Sequence, residues 1–176
     1  MNKQEKKKLR KKCLEKRNSL SIEERKAFSL IICEKLKPYL KDKNVMSYLA
    51  FASEVDVSYC DLDHKFAYPV IGDDHSMKAY RSNGNFILNS YGIKEPDPLT
   101  STIIPKEELE FIIVPCVGFN AFKQRLGHGG GYYDRYLKDC KAIKIGVAFE
   151  VQKLEEIFSE EHDIPLDLII TEKSVY

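Results

Sequence analysis

Between Arg125 and Asp134 the chain reads RLGHGGGYYD, with glycine at four of the five positions from 127 to 131. Glycine loses more backbone freedom on folding than any other residue. Such a density implies either a turn that no side chain fits or a ligand that touches the main chain. Bare amide N–H groups at a helix start carry partial positive charge and make a natural seat for phosphate. The flanking side chains extend that chemistry. Arg125 offers a guanidinium to phosphate oxygens, Tyr132 and Tyr133 offer rings that border a flat group, and Asp134 offers a carboxylate to a magnesium ion. Named phosphate motifs do not match letter by letter. A Walker loop ends in Gly-Lys-Ser/Thr, and the dinucleotide fingerprint needs glycine where Tyr132 stands. On these residues alone, a strand-to-helix turn without a ligand stays open beside the anion site.

Such a loop needs a strand before it and a helix after it. FIIVPC (111–116) supplies the strand and a helical pattern near 131–140 the helix, which puts the loop at the carboxyl edge of a sheet, where open α/β folds bind ligands. Further short apolar runs are VMSYLAF (45–51), FAYPV (66–70), MKAY (77–80), AIKIGVAF (142–149) and DLIIT (167–171). Several are apolar at consecutive positions, as in strands covered on both faces, with helical patterns near 54–63 and 151–161 between them. The expected class is α/β with a mostly parallel sheet. Residues 81–105, rich in Asn, Ser, Gly and Pro, read as a long irregular excursion, and excursions of that length tend to be functional.

The chain opens with two helical patterns. Residues 1–17 lack Gly, Pro and β-branched residues, and Leu9 and Cys13 fall four apart with Lys6 and Arg10 on a neighbouring face. Ser21 and Glu24 then form a capping box ahead of Phe28, Ile32, Leu36 and Tyr39 at helical spacing. The first segment holds nine Lys/Arg against two Glu, a surplus of seven, so with a net charge of +1 the remaining chain carries −6. Such asymmetry suits an anionic partner: nucleic acid, a membrane surface, or a phosphate- or carboxylate-bearing small ligand. A merely solvated helix face remains the plain alternative.

At 176 residues one domain spanning 1–176 is expected. No run is long enough to span a bilayer, and the basic start lacks the apolar stretch of a secretory signal, so a cytoplasmic location with no membrane association is expected. Cys13, Cys33, Cys60, Cys116 and Cys140 are odd in number and form no Cys-x-x-Cys pair, which reads as reduced thiols.

RLGHGGGYYDRYL, preceded by VPCVGFN, resembles the signature of the 5-formyltetrahydrofolate cyclo-ligase family, also called 5,10-methenyltetrahydrofolate synthetases. The likeness runs over nearly the whole chain: K-x-x-L-R at Lys6 to Arg10, LSIEER, YLAFASEVD (48–56), YGIKEP (91–96), the signature, and HDIPLDLIITE (162–172). It implies a three-layer, Rossmann-like, mostly parallel sheet with helices on both faces, and the ATP- and magnesium-dependent closure of 5-formyltetrahydrofolate to the 5,10-methenyl form. Carried over by position, it implies ATP contacts at Lys6, Lys7, Lys8, Leu9 and Arg10. The same carry-over assigns ATP contacts to Arg125, Leu126, Gly127, His128, Gly129, Gly130, Gly131, Tyr132 and Tyr133. Folate contacts fall at Leu49, Glu54 and His128 to Tyr132, magnesium contacts at Asp134 and Asp163, and catalytic roles at Arg125, His128 and Tyr132. A monomer acting on small molecules without nucleic acid is the corresponding expectation. The rivals are a nucleic-acid-binding module that uses the basic helix and another ATP-dependent kinase or ligase on the same scaffold. Three residues depart from the family pattern: Lys123 and Cys116 where glycine or a small residue is usual, and Asn120 where aspartate is common. Lys123 strains its turn if the position needs positive φ, or else adds a phosphate contact.

Other candidates read as structural. Cys116 lacks an evident base and reads as packing. His64 with Asp61 and Asp63 matches no metal spacing. His128 suits polar contact with a ligand more than proton transfer, and one of Tyr132 and Tyr133 is expected to anchor the helix to the sheet.

Overall fold

The computed structural model describes residues 3–60, 66–157 and 163–176. The His64 group with Asp61 and Asp63 therefore lies outside the described residues. Helix α1 spans Lys3–Asn18 and α2 spans Ile22–Leu40. The capping box forms as its spacing predicts: Glu24 N–H donates to Ser21 Oγ at 3.1 Å and Ser21 N–H to Glu24 Oε2 at 2.7 Å. Two of the four orphan amides at the α2 start are thereby satisfied.

The central sheet has seven strands. Five run parallel in the order β11 (Leu168–Ile170), β10 (Ile143–Val147), β7 (Phe111–Pro115), β1 (Val45–Met46) and β2 (Ala67–Ile71). Two antiparallel strands, β3 (Met77–Arg81) and β6 (Thr102–Ile104), extend the far edge. Successive strand residues point to opposite faces. Val45, Ile113, Ile145 and Val147 meet Ile32, Cys33 and Leu36 of α2 on one face. Met46, Ile112 and Val114 meet Leu137 and the tyrosines of α3 (Tyr132–Leu137) on the other. A sheet apolar on both faces explains why consecutive residues of these strands read as hydrophobic, and it yields the expected mostly parallel α/β architecture.

The structure departs from the sequence pattern in four places. VMSYLAF pairs as a strand only at Val45–Met46, because Tyr48 OH donates to Val55 O at 2.6 Å and folds the following residues into a loop above the sheet edge. The 81–105 excursion is less irregular than its composition suggests, since it forms a small hairpin of β4 (Phe86–Leu88) and β5 (Lys94–Pro96) before β6. Within 54–63, the described residues hold a single 3-10 turn at Val57–Cys60. The pattern at 151–161 gives a 3-10 turn at Glu150–Gln152 and no helix through 157. Leu154 N–H is taken instead by Phe119 O at 2.7 Å, a tertiary bond that overrides helix propensity.

Candidate active site

The glycine loop is entered from a two-residue hairpin, β8 (Gly118–Phe119) with β9 (Arg125–Leu126), so Arg125 and Leu126 sit on a strand and not in the loop itself. Gly129 takes φ 101° and Gly131 φ 68°, backbone states open to glycine and strained for any other residue. The loop's carbonyls are turned to arginines: Arg10 Nε donates to Gly127 O and Arg135 Nη2 to Gly130 O, both at 2.8 Å. Its amides are not so engaged. Among the described residues no N–H from Gly127 through Gly131 donates to another protein group. The loop therefore presents a row of unpaired donors, the arrangement that binds phosphate oxygens. Helix α3 holds six residues and starts from Gly131 without a side-chain cap, so its dipole adds little and the amides carry the anion chemistry.

Helix α1 lies along this loop. Lys6 and Arg10, one turn apart, both face inward: Lys6 is 8% exposed with Nζ 2.9 Å from Asp163 Oδ2. A Cβ on Gly129 would meet Arg10 Cζ at 3.2 Å, so the guanidinium lies flat on the bare backbone. Lys7 and Lys8 point outward and are exposed, while Leu9 packs beside buried Cys13, Val117 and Leu126. Of the five basic-motif positions, Arg10 brings charge to the loop and Lys6 brings it to Asp163.

Arg125, with its side chain 4% exposed, pairs with Asp134 Oδ1 at 2.5 Å, and its guanidinium lies 5.6 Å over the Tyr133 ring. Both carboxylates expected at magnesium are thus bound to cations, Asp134 to Arg125 and Asp163 to Lys6, and they stand in separate pairs. No group of three or more His, Cys, Asp or Glu poised for a metal occurs among the described residues. Carboxylate oxygen is still the donor a hard cation takes, and Asp134 Oδ2 has no protein partner among those residues, so the residue types fit a magnesium ion that shares its shell with phosphates.

Across the loop, His128 Nε2 lies 3.1 Å from Glu54 Oε1, and Glu54 Oε2 accepts from Phe51 N–H at 3.0 Å. The Glu54 side chain is 9% exposed and lines a narrow crevice with Tyr48, Pro115 and Cys116, while Leu49 is half-buried in the same loop. Burial pushes the Cys116 thiol up to about 12, which suits the packing role and not a nucleophile. Both tyrosines touch the core cluster, and Tyr133 is the one with its hydroxyl buried. Tyr133 packs into the core cluster under the sheet, and burial raises its phenol. Tyr132 turns outward, its hydroxyl 3.1 Å from His75 Nδ1 and 3.3 Å from Tyr91 OH. His75 and Arg135 are residues that sequence reasoning missed. Arg135 donates to His75 O through Nε and Nη2 at 3.3 and 3.2 Å, holding His75 at φ 60° against Tyr132. Tyr91 had a signal, its place in YGIKEP, whereas His75 had none.

Fold and loop together define the class: an α/β protein, its sheet mostly parallel and helices on both faces, with a glycine loop of unpartnered amides that follows β7 and the β8–β9 hairpin. The chain belongs to the 5-formyltetrahydrofolate cyclo-ligase family, whose profile matches residues 2–172. It is 31% identical over 169 residues to the 5-formyltetrahydrofolate cyclo-ligase of Mycoplasma pneumoniae, covering 94% of this chain and 97% of that one. Against the cyclo-ligase of Escherichia coli K12 it is 35% identical over 100 residues, a stretch spanning 55% of either protein. The solved 5,10-methenyltetrahydrofolate synthetase of Aquifex aeolicus superposes with a TM-score of 0.84 at 35% identity, covering 97% of this chain and 91% of that one. No described helix is long and apolar enough to cross a membrane.

Proposed function

We propose that this protein closes 5-formyltetrahydrofolate to 5,10-methenyltetrahydrofolate with consumption of ATP and release of ADP and phosphate. The observation that carries the reading is the row of unpaired amides at Gly127–Gly131 flanked by Arg10 and Arg125, with Glu54 reached from the same loop through His128. The formyl oxygen is a poor leaving group. It takes the γ-phosphoryl group of ATP as the bond to ADP breaks. N10 then attacks the formyl carbon, loses its proton, and phosphate departs with the oxygen. Such a reaction asks for positioning and charge neutralisation more than for a side-chain nucleophile.

In this reading the amides and Arg10 hold phosphate oxygens, and Arg125 neutralises charge on the transferred group. His128 and Tyr132 border the reacting formyl group, Glu54 accepts pterin N–H groups, and Leu49 packs on the ring. Asp134 and Asp163 would hold magnesium together with the nucleotide, and the ion would supply charge neutralisation on the phosphates. The basic face of α1 serves the nucleotide and not a nucleic acid, because Lys6 and Arg10 turn inward. Five unbridged cysteines support work in the reducing cytoplasm, and we read the chain as one domain that acts as a monomer.

The test is direct. The folded protein incubated with 5-formyltetrahydrofolate, ATP and magnesium should raise the near-ultraviolet absorbance of the methenyl product. No rise with folded protein, or a rise independent of ATP, defeats the reading.

A further inference from the structure

Helix α1 carries a third inward cation that no motif singles out. Arg17 lies seven residues, two helical turns, beyond Arg10 and is 4% exposed. Its Nε donates to Ser53 Oγ at 3.0 Å, and Ser53 donates onward to Asn18 Oδ1 at 2.5 Å, which fixes the guanidinium plane. The two terminal Nη nitrogens make no hydrogen bond or ion pair among the described residues. Neither tip is among the fully buried side-chain atoms that lack a partner, so each is open to a group from outside the chain. Arg17 lines the same narrow crevice as Glu54. The two charges attract, yet they do not close into an ion pair, and each Glu54 oxygen already has another protein contact, His128 or Phe51 N–H. Arg17 thus brings donors and Glu54 acceptors to one narrow crevice.

Resting on the cyclo-ligase reading above, we propose that Arg17 donates to the 4-oxo oxygen of the substrate's pterin ring and thereby selects 4-oxo pterins. Along that edge the ring presents an acceptor at C4=O, then donors at N3–H and the 2-amino group. A guanidinium beside a carboxylate is the complementary sequence of donor and acceptors. A ring with an amino group at C4 sets N–H donors against the Arg17 donors, leaving both unpaired. A site built to hydrogen-bond a substrate group rejects the analogue that cannot answer it more strongly than an apolar pocket does.

The test compares affinity for 5-formyltetrahydrofolate with that for its 2,4-diamino counterpart, for wild type, Arg17→Met, Arg17→Lys and Ser53→Ala. Wild type should prefer the 4-oxo ring by about tenfold or more, and Arg17→Met should reduce that preference to within about threefold. In the same variant KM for 5-formyltetrahydrofolate should rise about tenfold or more, with KM for ATP unchanged within about twofold. Ser53→Ala keeps the guanidinium but frees its plane, and should lower the preference less than Arg17→Met does. If Arg17→Met does not fold, Arg17→Lys retains the charged stem without the planar fork and should lose most of the preference. A wild-type protein that turns over 5-formyltetrahydrofolate yet shows no 4-oxo preference overturns the Arg17 assignment alone, as does a folded Arg17 variant that keeps the preference. Absence of wild-type turnover defeats the parent reading instead.

Discussion

Lys123 holds φ 63° in the turn that joins β8 to β9, a left-handed state that favours glycine. The turn is held there from both sides. Lys123 N–H donates to Asn120 O and Lys123 O accepts from Leu166 N–H, each at 3.1 Å. Asn120 Oδ1 accepts the amides of Phe122 and Gln124, also at 3.1 Å. The backbone therefore cannot relax away from the strained state without giving up four bonds. The left-handed state costs a non-glycine residue about 1–2 kcal/mol. Glycine removes that cost but frees the unfolded chain, which takes back about 0.4–1 kcal/mol. Lys123→Gly should therefore stabilise the protein by about 0.5–1 kcal/mol, a rise in Tm of about 1–4 °C for a chain of this size. Lys123→Ala keeps the strain and should stay within about 0.5 kcal/mol of wild type. Thermal and urea midpoints of the three proteins decide the matter: a glycine variant that melts at or below the alanine variant refutes the strain reasoning. The turn's contacts run to Asn120 and Leu166 and not to the glycine loop, so KM for ATP should change by less than about twofold, and a larger rise would assign Lys123 to phosphate.

Gly129→Ala sets a methyl 3.2 Å from Arg10 Cζ and forces alanine to φ 101°. It should cost about 1–3 kcal/mol and raise KM for ATP much more than KM for folate, checked by thermal melting and two-substrate kinetics. Asp134→Asn keeps an oxygen for Arg125 but not the charge, so saturation should need more magnesium while Tm falls little. A loss of rate at every magnesium concentration that matches the loss of folded protein would assign Asp134 to structure. Cys116, its thiol pushed up to about 12 by burial, should resist iodoacetamide in the folded protein at pH 8, whereas half-buried Cys140 should label first in peptide mass maps.

What the sequence disclosed follows the range of the interactions involved. The α2 start was legible because Ser21 and Glu24 are three apart, and the parallel strands because burial on both faces writes consecutive apolar residues. The glycine loop was legible because its chemistry is contiguous. The β8–β9 and β4–β5 hairpins were not, since two- and three-residue strands are too short to show alternation and owe their existence to their partners. His75 was invisible for a related reason: 57 positions separate it from Tyr132, and only the fold of β2 and β3 brings its ring there. Glu150–Gln152 misled because a helical spacing was recruited to a different task. Gln152 accepts from Phe149 N–H and donates to the carbonyls of Cys116 and Val117 beneath the hairpin.

The basic helix shows how a composition signal acquires direction. Positions 6, 10, 13 and 17 recur at the spacing that normally forms the apolar stripe of a packed helix, and here three of the four are cationic. Lys6 and Arg17 are nearly as buried as Cys13 between them, and Arg10 is bonded to the loop's own carbonyl. A helix selected only for docking would place Leu or Ile at those positions, because an apolar side chain packs at lower cost than a desolvated charge. The outward residues Lys7, Lys8, Lys11 and Lys12 are exposed and keep the helix soluble. The surplus of charge near the N-terminus thus separates into a solvated face and an inward row, in which Lys6 meets Asp163, Arg10 the glycine loop and Arg17 Ser53. Arg10 and the bare amides beside it are both unfavourable without a counter-charge, and one anion against the loop satisfies both.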